Sequence, residues 1–96
     1  MSDIVNEAVT ALKARLDGGT FDGSAKFVIE NEGAVMIDHQ GVRAADEEAE
    51  VTMTADADTF RSIMDGDLNA TAAFMSGKLS VDGDMGQAMK LSAILA

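Results

Sequence analysis

Apolar residues at the start of the chain recur with the helical period. Ile4, Ala8, Leu12 and Leu16 fall four apart with Val5 and Val9 beside them, which predicts an amphipathic helix. Ser2 is placed to cap it, Asp3 suits its positive end, and Gly18-Gly19 supplies a stop. After Asp22-Gly23 the period changes to two. Ala25, Phe27 and Ile29 share one face of a strand over 25–30, Asn31-Glu32-Gly33 reads as a turn, and Val35-Met36-Ile37 as a second strand. Gln40-Gly41 ends it, and Val42 to Ala45 form a short third. These connections are too short for anything but antiparallel pairing. The acidic run Asp46-Glu47-Glu48 reads as a turn before a fourth strand, in which Ala49, Val51 and Met53 alternate with Glu50, Thr52 and Thr54.

The second half returns to helices. Asp56 fits an N-cap for a helix carrying Phe60, Ile63 and Met64 on one side as far as Gly66, and Asn69 repeats the device for a short helix through Phe74 and Met75 to Gly77. Residues 78–82 predict a fifth strand, closed by Gly83. Asp84 with Gln87 three residues later has the form of a capping box, opening a last helix over Met85, Ala88, Met89, Leu91, Ser92, Ile94 and Leu95. The order is helix, four strands, two short helices, strand, helix, without linker or repeat. It predicts one α+β domain over residues 1–96, with helices covering a face of the sheet.

Composition narrows the function more by exclusion than by assignment. A formal charge of -10, from 17 acidic against 7 basic residues, opposes nucleic acid and anionic lipid surfaces, which reward clustered Lys and Arg. With no Cys there are no disulfides, thiolate nucleophiles or Cys-ligated metals. No apolar run approaches the roughly 20 residues of a membrane span, and the first residues lack the regions of a signal peptide, so a cytoplasmic protein without stable membrane insertion is expected.

Catalytic patterns are also missing. His39 is the only histidine and reads as a polar strand-end residue; as a lone general base it would need an orienting acid, and Asp38 points to the opposite strand face. The acids at 46–50 lack the spacing and Gly of a calcium loop, so no metal site is expected. Ser76-Gly77-Lys78 fails as a phosphate loop because Ala72 stands where Gly is required and Leu79 follows the Lys. No enzymatic activity and no cofactor are expected.

What remains is an apolar signal. Beyond the first residue there are six Met, at 36, 53, 64, 75, 85 and 89, with four Phe and neither Trp nor Tyr. Met fills irregular gaps in a core and equally lines surfaces that accept ligands of varied shape.

The string Ala73-Phe74-Met75-Ser76-Gly77-Lys78-Leu79-Ser80-Val81-Asp82-Gly83-Asp84-Met85, preceded by Gly66 and followed by Ala88-Met89-Lys90-Leu91, resembles the C-terminal signature of the sterol carrier protein 2 (SCP-2) domain family. Upstream, Gly33 to Ile37, the acidic turn into residues 49–54, and Phe60 before Gly66 are similar in order and spacing, so the resemblance runs from about residue 24 onward. The chain is most similar to the short stand-alone bacterial type, since Ile94-Leu95-Ala96 does not match the Ser-Lys-Leu peroxisomal address.

The resemblance implies an SCP-2-like fold, a five-stranded, mainly antiparallel sheet covered on one face by helices and enclosing a hydrophobic tunnel. The implied function is non-catalytic binding and transfer of an apolar lipid: a fatty acid, acyl-CoA, phospholipid or sterol. The expected lipid-binding residues are Val35, Ile37 and Leu79 from the strands, Phe60, Ile63 and Met64 from one helix, and Phe74 and Met75 from the next. The last helix adds Met85, Met89, Leu91, Ile94 and Leu95 as lining or lid. The alternative is an interaction module whose C-terminal helix packs on a partner protein or a second copy, with the cavity vestigial.

Overall fold

A computed structural model describes residues 3–16 and 21–95; the expected cap Ser2 and the Gly18-Gly19 stop lie outside the described residues. Among these, the elements in chain order are α1 (Asp3–Leu16), β1 (Ser24–Ile29), β2 (Gly33–Asp38), β3 (Gly41–Ala44), β4 (Val51–Ala55), α2 (Ala57–Met64), α3 (Ala70–Met75), β5 (Ser80–Gly83) and α4 (Met85–Leu95).

The strands form one sheet in the order β3-β2-β1-β4-β5. Tight turns make β1, β2 and β3 an antiparallel meander, as short connections require. The fourth strand departs from that pattern: β4 lies on the other side of β1 and runs parallel to it, Phe27 beside Met53, before β5 pairs with it antiparallel. The chain therefore crosses the sheet between β3 and β4.

That crossing is made by residues 45–50, on the face away from the helices. Asp46 meets Lys26 Nζ at 2.9 Å, Glu47 meets Arg43 at 2.8 Å, and the Glu50 N–H donates to Ser24 Oγ at 2.9 Å. The acidic run expected to be a turn is thus a strap tied down by ion pairs. Met36, opposite Lys26 and Arg43 in the sheet register, is buried on this outer face.

The main core lies on the other face, where side chains two apart along each strand point inward. Ala25, Phe27 and Ile29 of β1, Val35 and Ile37 of β2, and Val51, Met53 and Ala55 of β4 meet Val5, Ala8 and Leu12 of α1, Phe60 and Ile63 of α2, and Ala88, Leu91 and Leu95 of α4. The Phe27 and Phe60 rings pack edge to face, centroids 4.8 Å apart at 69°. Such a pair adds about 0.5–1.5 kcal/mol beyond its area.

Two strands start later than the sequence expectation. Lys78 and Leu79 belong to the turn that ends α3, both N–H groups donating to the Ala73 carbonyl at 2.9 and 3.1 Å, so β5 starts at Ser80. Ala49 and Glu50 end the strap, so β4 starts at Val51. The capping box at α4 is half made. Asp84 Oδ1 accepts from the N–H groups of Gly86 (2.8 Å) and Gln87 (3.2 Å), but the Asp84 N–H donates to the Glu50 carbonyl at 2.8 Å. The Gln87 carboxamide instead lies where a Cβ on Gly23 would sit, and its Oε1 is buried with no protein donor.

Candidate functional site

Helix α3 is short for local reasons. Asn69 caps it, its Oδ1 accepting from Thr71 N–H at 2.8 Å and Ala72 N–H at 3.3 Å, and Gly77 ends it after Met75 with φ +81°. Its carbonyl at Ala73 also accepts from Ser76 Oγ at 3.1 Å, which turns the chain sharply and drops Leu79 into the interior. The start of α4 is held against the start of β4 by the bond from Asp84 to Glu50. Between α3, α4 and the β4–β5 edge this leaves a cleft of ≈ 290 Å³.

Its floor is closed core: Met53 and Leu79, with Ala70 and Ala88 as small residues that leave the room. Its rim is exposed. Phe74 is 44% exposed, Met75 80%, Met85 53% and Met89 72%; these are the large apolar side chains left in solvent among the described residues, and all four border this cleft. Val81 completes the apolar wall, and the remaining lining, Thr71 and Ser92, is polar and uncharged. A second hollow of ≈ 260 Å³ adjoins it, sharing Thr71, Met89 and Ser92 and adding Asn69 and Ala93.

The residues expected to bind lipid separate into three groups. Phe74, Met75, Leu79, Met85 and Met89 line the cleft. Phe60 and Met64 border a smaller hollow of ≈ 150 Å³ between α1 and α2. Val35, Ile37, Ile63, Leu91 and Leu95 are sealed in the core, and Ile94 is half-buried against it. The sequence reading did not select Met53, Ala70, Thr71, Val81, Ala88 or Ser92 for the cleft. Part of the signal was present: Met85, Ala88, Met89 and Ser92 share one helical face by their i, i+3, i+4, i+7 spacing, and Val81 pairs with Met53 in the sheet.

Among the described residues no acid or base lines the cleft. His39 is exposed in the turn between β2 and β3, and Asp38 is engaged elsewhere, its Oδ1 accepting from Gln40 N–H and from Arg43 Nη1, both at 2.9 Å. Burial opposes ionisation of Asp38, but those donors and the Arg43 charge outweigh it and hold the carboxyl below its ordinary value. Among the described residues no cluster of three or more His, Cys, Asp or Glu is arranged to hold a metal, and no helix is long and apolar enough to cross a membrane.

The same architecture recurs in solved structures. The solution structure of a sterol carrier protein 2 domain from Helicoverpa armigera covers 96% of this chain, which spans 85% of that one, with TM-score 0.76 and 25% identity. Sterol Carrier Protein-2 from Aedes aegypti, solved in complex with the C16 fatty acid palmitate, covers 100% of this chain, which spans 97% of that one, with TM-score 0.77 and 24% identity. The fold is SCP-2-like. A model of the SCP-2 sterol transfer family matches residues 7–96, and the chain belongs to that family. Among curated proteins, Hydroxysteroid dehydrogenase-like protein 2 of Danio rerio is 48% identical over 48 residues, 50% of this chain. The matched stretch is 12% of that protein, and the next relatives are matched over 11% of their length.

Proposed function

We propose that this chain binds one lipid molecule without covalent chemistry, laying its apolar chain in the cleft between α3, α4 and the β4–β5 edge. One observation carries the reading: the four large exposed apolar side chains, from two helices, converge on one concavity with a fully apolar floor. Exposed apolar surface gathered in this way marks a binding site. Family membership and the palmitate complex of the Aedes aegypti protein support it.

The cleft lies near the small end, roughly 300 Å³, of ligand pockets in general. Flexible Met75, Met85 and Met89 can fold over the part of the chain that the floor leaves uncovered. Each methylene removed from water contributes about 0.8 kcal/mol, less the cost of ordering ligand and rim. Discrimination between chain lengths is then weak, and a broad ligand range follows. The lining supplies two hydroxyls and no base to activate them, which favours carriage over catalysis. A net charge of -10 opposes collision with anionic bilayers, so delivery to a protein or to neutral membrane fits the surface better.

Native mass spectrometry of purified protein after incubation with a lipid extract tests this reading. A 1:1 adduct, released by solvent and displaced by a competing lipid, is the expected result. An apo mass throughout, combined with concentration-dependent self-association, would overturn it in favour of α4 as a docking surface.

A further inference from the structure

The inference drawn here rests on the lipid reading above and concerns chemical modification of the cleft rim. The chain has no Cys, Trp or Tyr, which leaves the methionine thioethers as the groups a hydroperoxide attacks first. The fold sorts those thioethers by access. Met36 on the outer sheet face and Met53 in the cleft floor are each 1% exposed, and Met64 is half-buried against the core. Met75, Met89 and Met85, in falling order of exposure, stand in solvent, and all three border the same cleft. Among the described residues, oxidation is therefore directed to one place, and that place is the wall proposed to cover a lipid.

The reaction is an oxygen transfer. A sulfur lone pair attacks one peroxide oxygen, the S–O bond forms as the O–O bond breaks, and the proton on the transferred oxygen passes to the leaving one. The thioether is oxidised to a sulfoxide, and the hydroperoxide is reduced to an alcohol, or to water where it is hydrogen peroxide.

The product does not suit the rim. A sulfoxide is a polar acceptor, and the cleft lining offers it only the hydroxyls of Thr71 and Ser92 as side-chain donors. Folded over a lipid chain, the sulfoxide is a polar group stripped of water. Turned out into water, it no longer covers the chain. Phe74, Ala70, Leu79 and Ala88 are inert to the same oxidant, so the concavity itself remains.

We propose that Met75, Met85 and Met89 form a reversible oxidation site: a hydroperoxide converts them to sulfoxides, the folded protein then loses its hold on lipid, and reduction of the sulfoxides restores it.

Dilute hydrogen peroxide applied to the folded protein tests it, with peptide mapping by mass spectrometry and with Nile red binding and its displacement by palmitate as readouts. Met75 and Met89 should gain oxygen first, Met85 next, Met64 later, and Met36 and Met53 last. With the three rim sulfurs oxidised, dye and palmitate should bind about tenfold more weakly, a factor worth about 1.4 kcal/mol. The melting temperature should change little, because sulfoxides at these positions reach water. Methionine sulfoxide reductases for both epimers, with dithiothreitol, should restore the affinity. The combined variant Met75→Leu, Met85→Leu, Met89→Leu should keep whatever affinity it starts with through the same treatment, which assigns the loss to the rim rather than to Met64 or Met1. Oxidation of Met36 or Met53 ahead of the rim, unchanged affinity once the rim is oxidised, a fall in melting temperature that tracks the loss, or an equal loss in the Leu variant overturns the switch while lipid binding stands. Failure of dye and palmitate to bind the untreated protein overturns the lipid reading itself.

Discussion

The guanidinium of Arg15, on the last turn of α1, donates to the carbonyl of Leu95 at 2.6 Å, joining the two helices farthest apart in the chain. Its other nitrogen donates to the carbonyl of Met64, the last residue of α2. A single cation therefore satisfies carbonyls at two helix C-termini, where the backbone carries partial negative charge. It locks α1, α2 and α4 at one end of the helical layer. The cleft opens where this clamp does not reach, beside α3.

Arg15→Ala should accordingly lower stability by about 2–3 kcal/mol, the range for hydrogen bonds to charged groups, seen as a drop of roughly 10–20 °C in melting temperature for a domain of this size. Arg15→Lys should recover only part, because an ammonium cannot span both carbonyls with the fork of a guanidinium. Thermal denaturation of the three proteins checks the order. Equal melting of Arg15→Lys and wild type would show that charge alone suffices.

Phe74→Asp separates binding from folding. At a sealed core position such a charge would cost several kcal/mol. At 44% exposure the new carboxylate reaches water, so the expected loss is about 1 kcal/mol of partly buried ring area. Lipid uptake should nevertheless disappear, because the charge sits on the cleft rim. Phe60→Leu is the converse control: it removes the edge-to-face contact with Phe27 and should lower the melting temperature while uptake persists. Uptake lost in Phe60→Leu at a temperature where that protein is folded would move the site toward α2.

Much of this fold is legible because strand and helix periods are local. The alternation of Ala25, Phe27 and Ile29 is matched by burial residue by residue, and the caps at Asp56, Asn69 and Asp84 all accept the N–H groups expected of them. The parallel pairing of β1 with β4 is not local. Alternation says which side chains face inward but not which edge of the sheet the next strand joins, and the strap that decides it reads as an acidic turn. Gln87 shows the same limit on a smaller scale: its spacing from Asp84 fits a capping box, yet the Asp84 N–H is taken by the Glu50 carbonyl and the Gln87 carboxamide packs beside Gly23, both in other parts of the chain. At the cleft, Leu91 and Met89 are both apolar residues of one helix, separated only by what packs beside them. Leu91 is sealed in the core, while Met89 is exposed on the rim of the cleft.

Acid should weaken the fold through two particular carboxylates. Asp38 is held low by Gln40 and Arg43 against the opposing effect of burial, and Asp56 by the Thr59 N–H that it caps at 2.7 Å. A folded-state pKa below the unfolded value means that the stabilisation is complete above the unfolded value, about 3.9, and is lost as pH falls through the lowered folded one. These groups contribute a constant amount near neutrality and a declining one below about pH 4. Asp38→Asn should flatten the acid limb of a plot of stability against pH. A limb of unchanged slope would assign the acid sensitivity to other carboxylates.

Glycines 77 and 83 provide a final contrast, because both have positive φ but only one is crowded. At Gly77, φ +81°, a Cβ would meet nothing within 4 Å, so Gly77→Ala bears only the left-handed backbone cost of about 1–2 kcal/mol. At Gly83, φ +112°, a Cβ would lie 2.4 Å from the Glu50 carbonyl oxygen, a backbone atom that also accepts the Asp84 N–H. Relief of that contact has to separate β5 from β4 or break the bond that seats the start of α4. Gly83→Ala should therefore destabilise clearly more than Gly77→Ala in urea denaturation. Where it remains folded, it should also weaken lipid binding by displacing Met85 from the rim, while Gly77→Ala keeps its affinity. Equal effects of the two on affinity would show that the β4–β5–α4 junction does not shape the cleft.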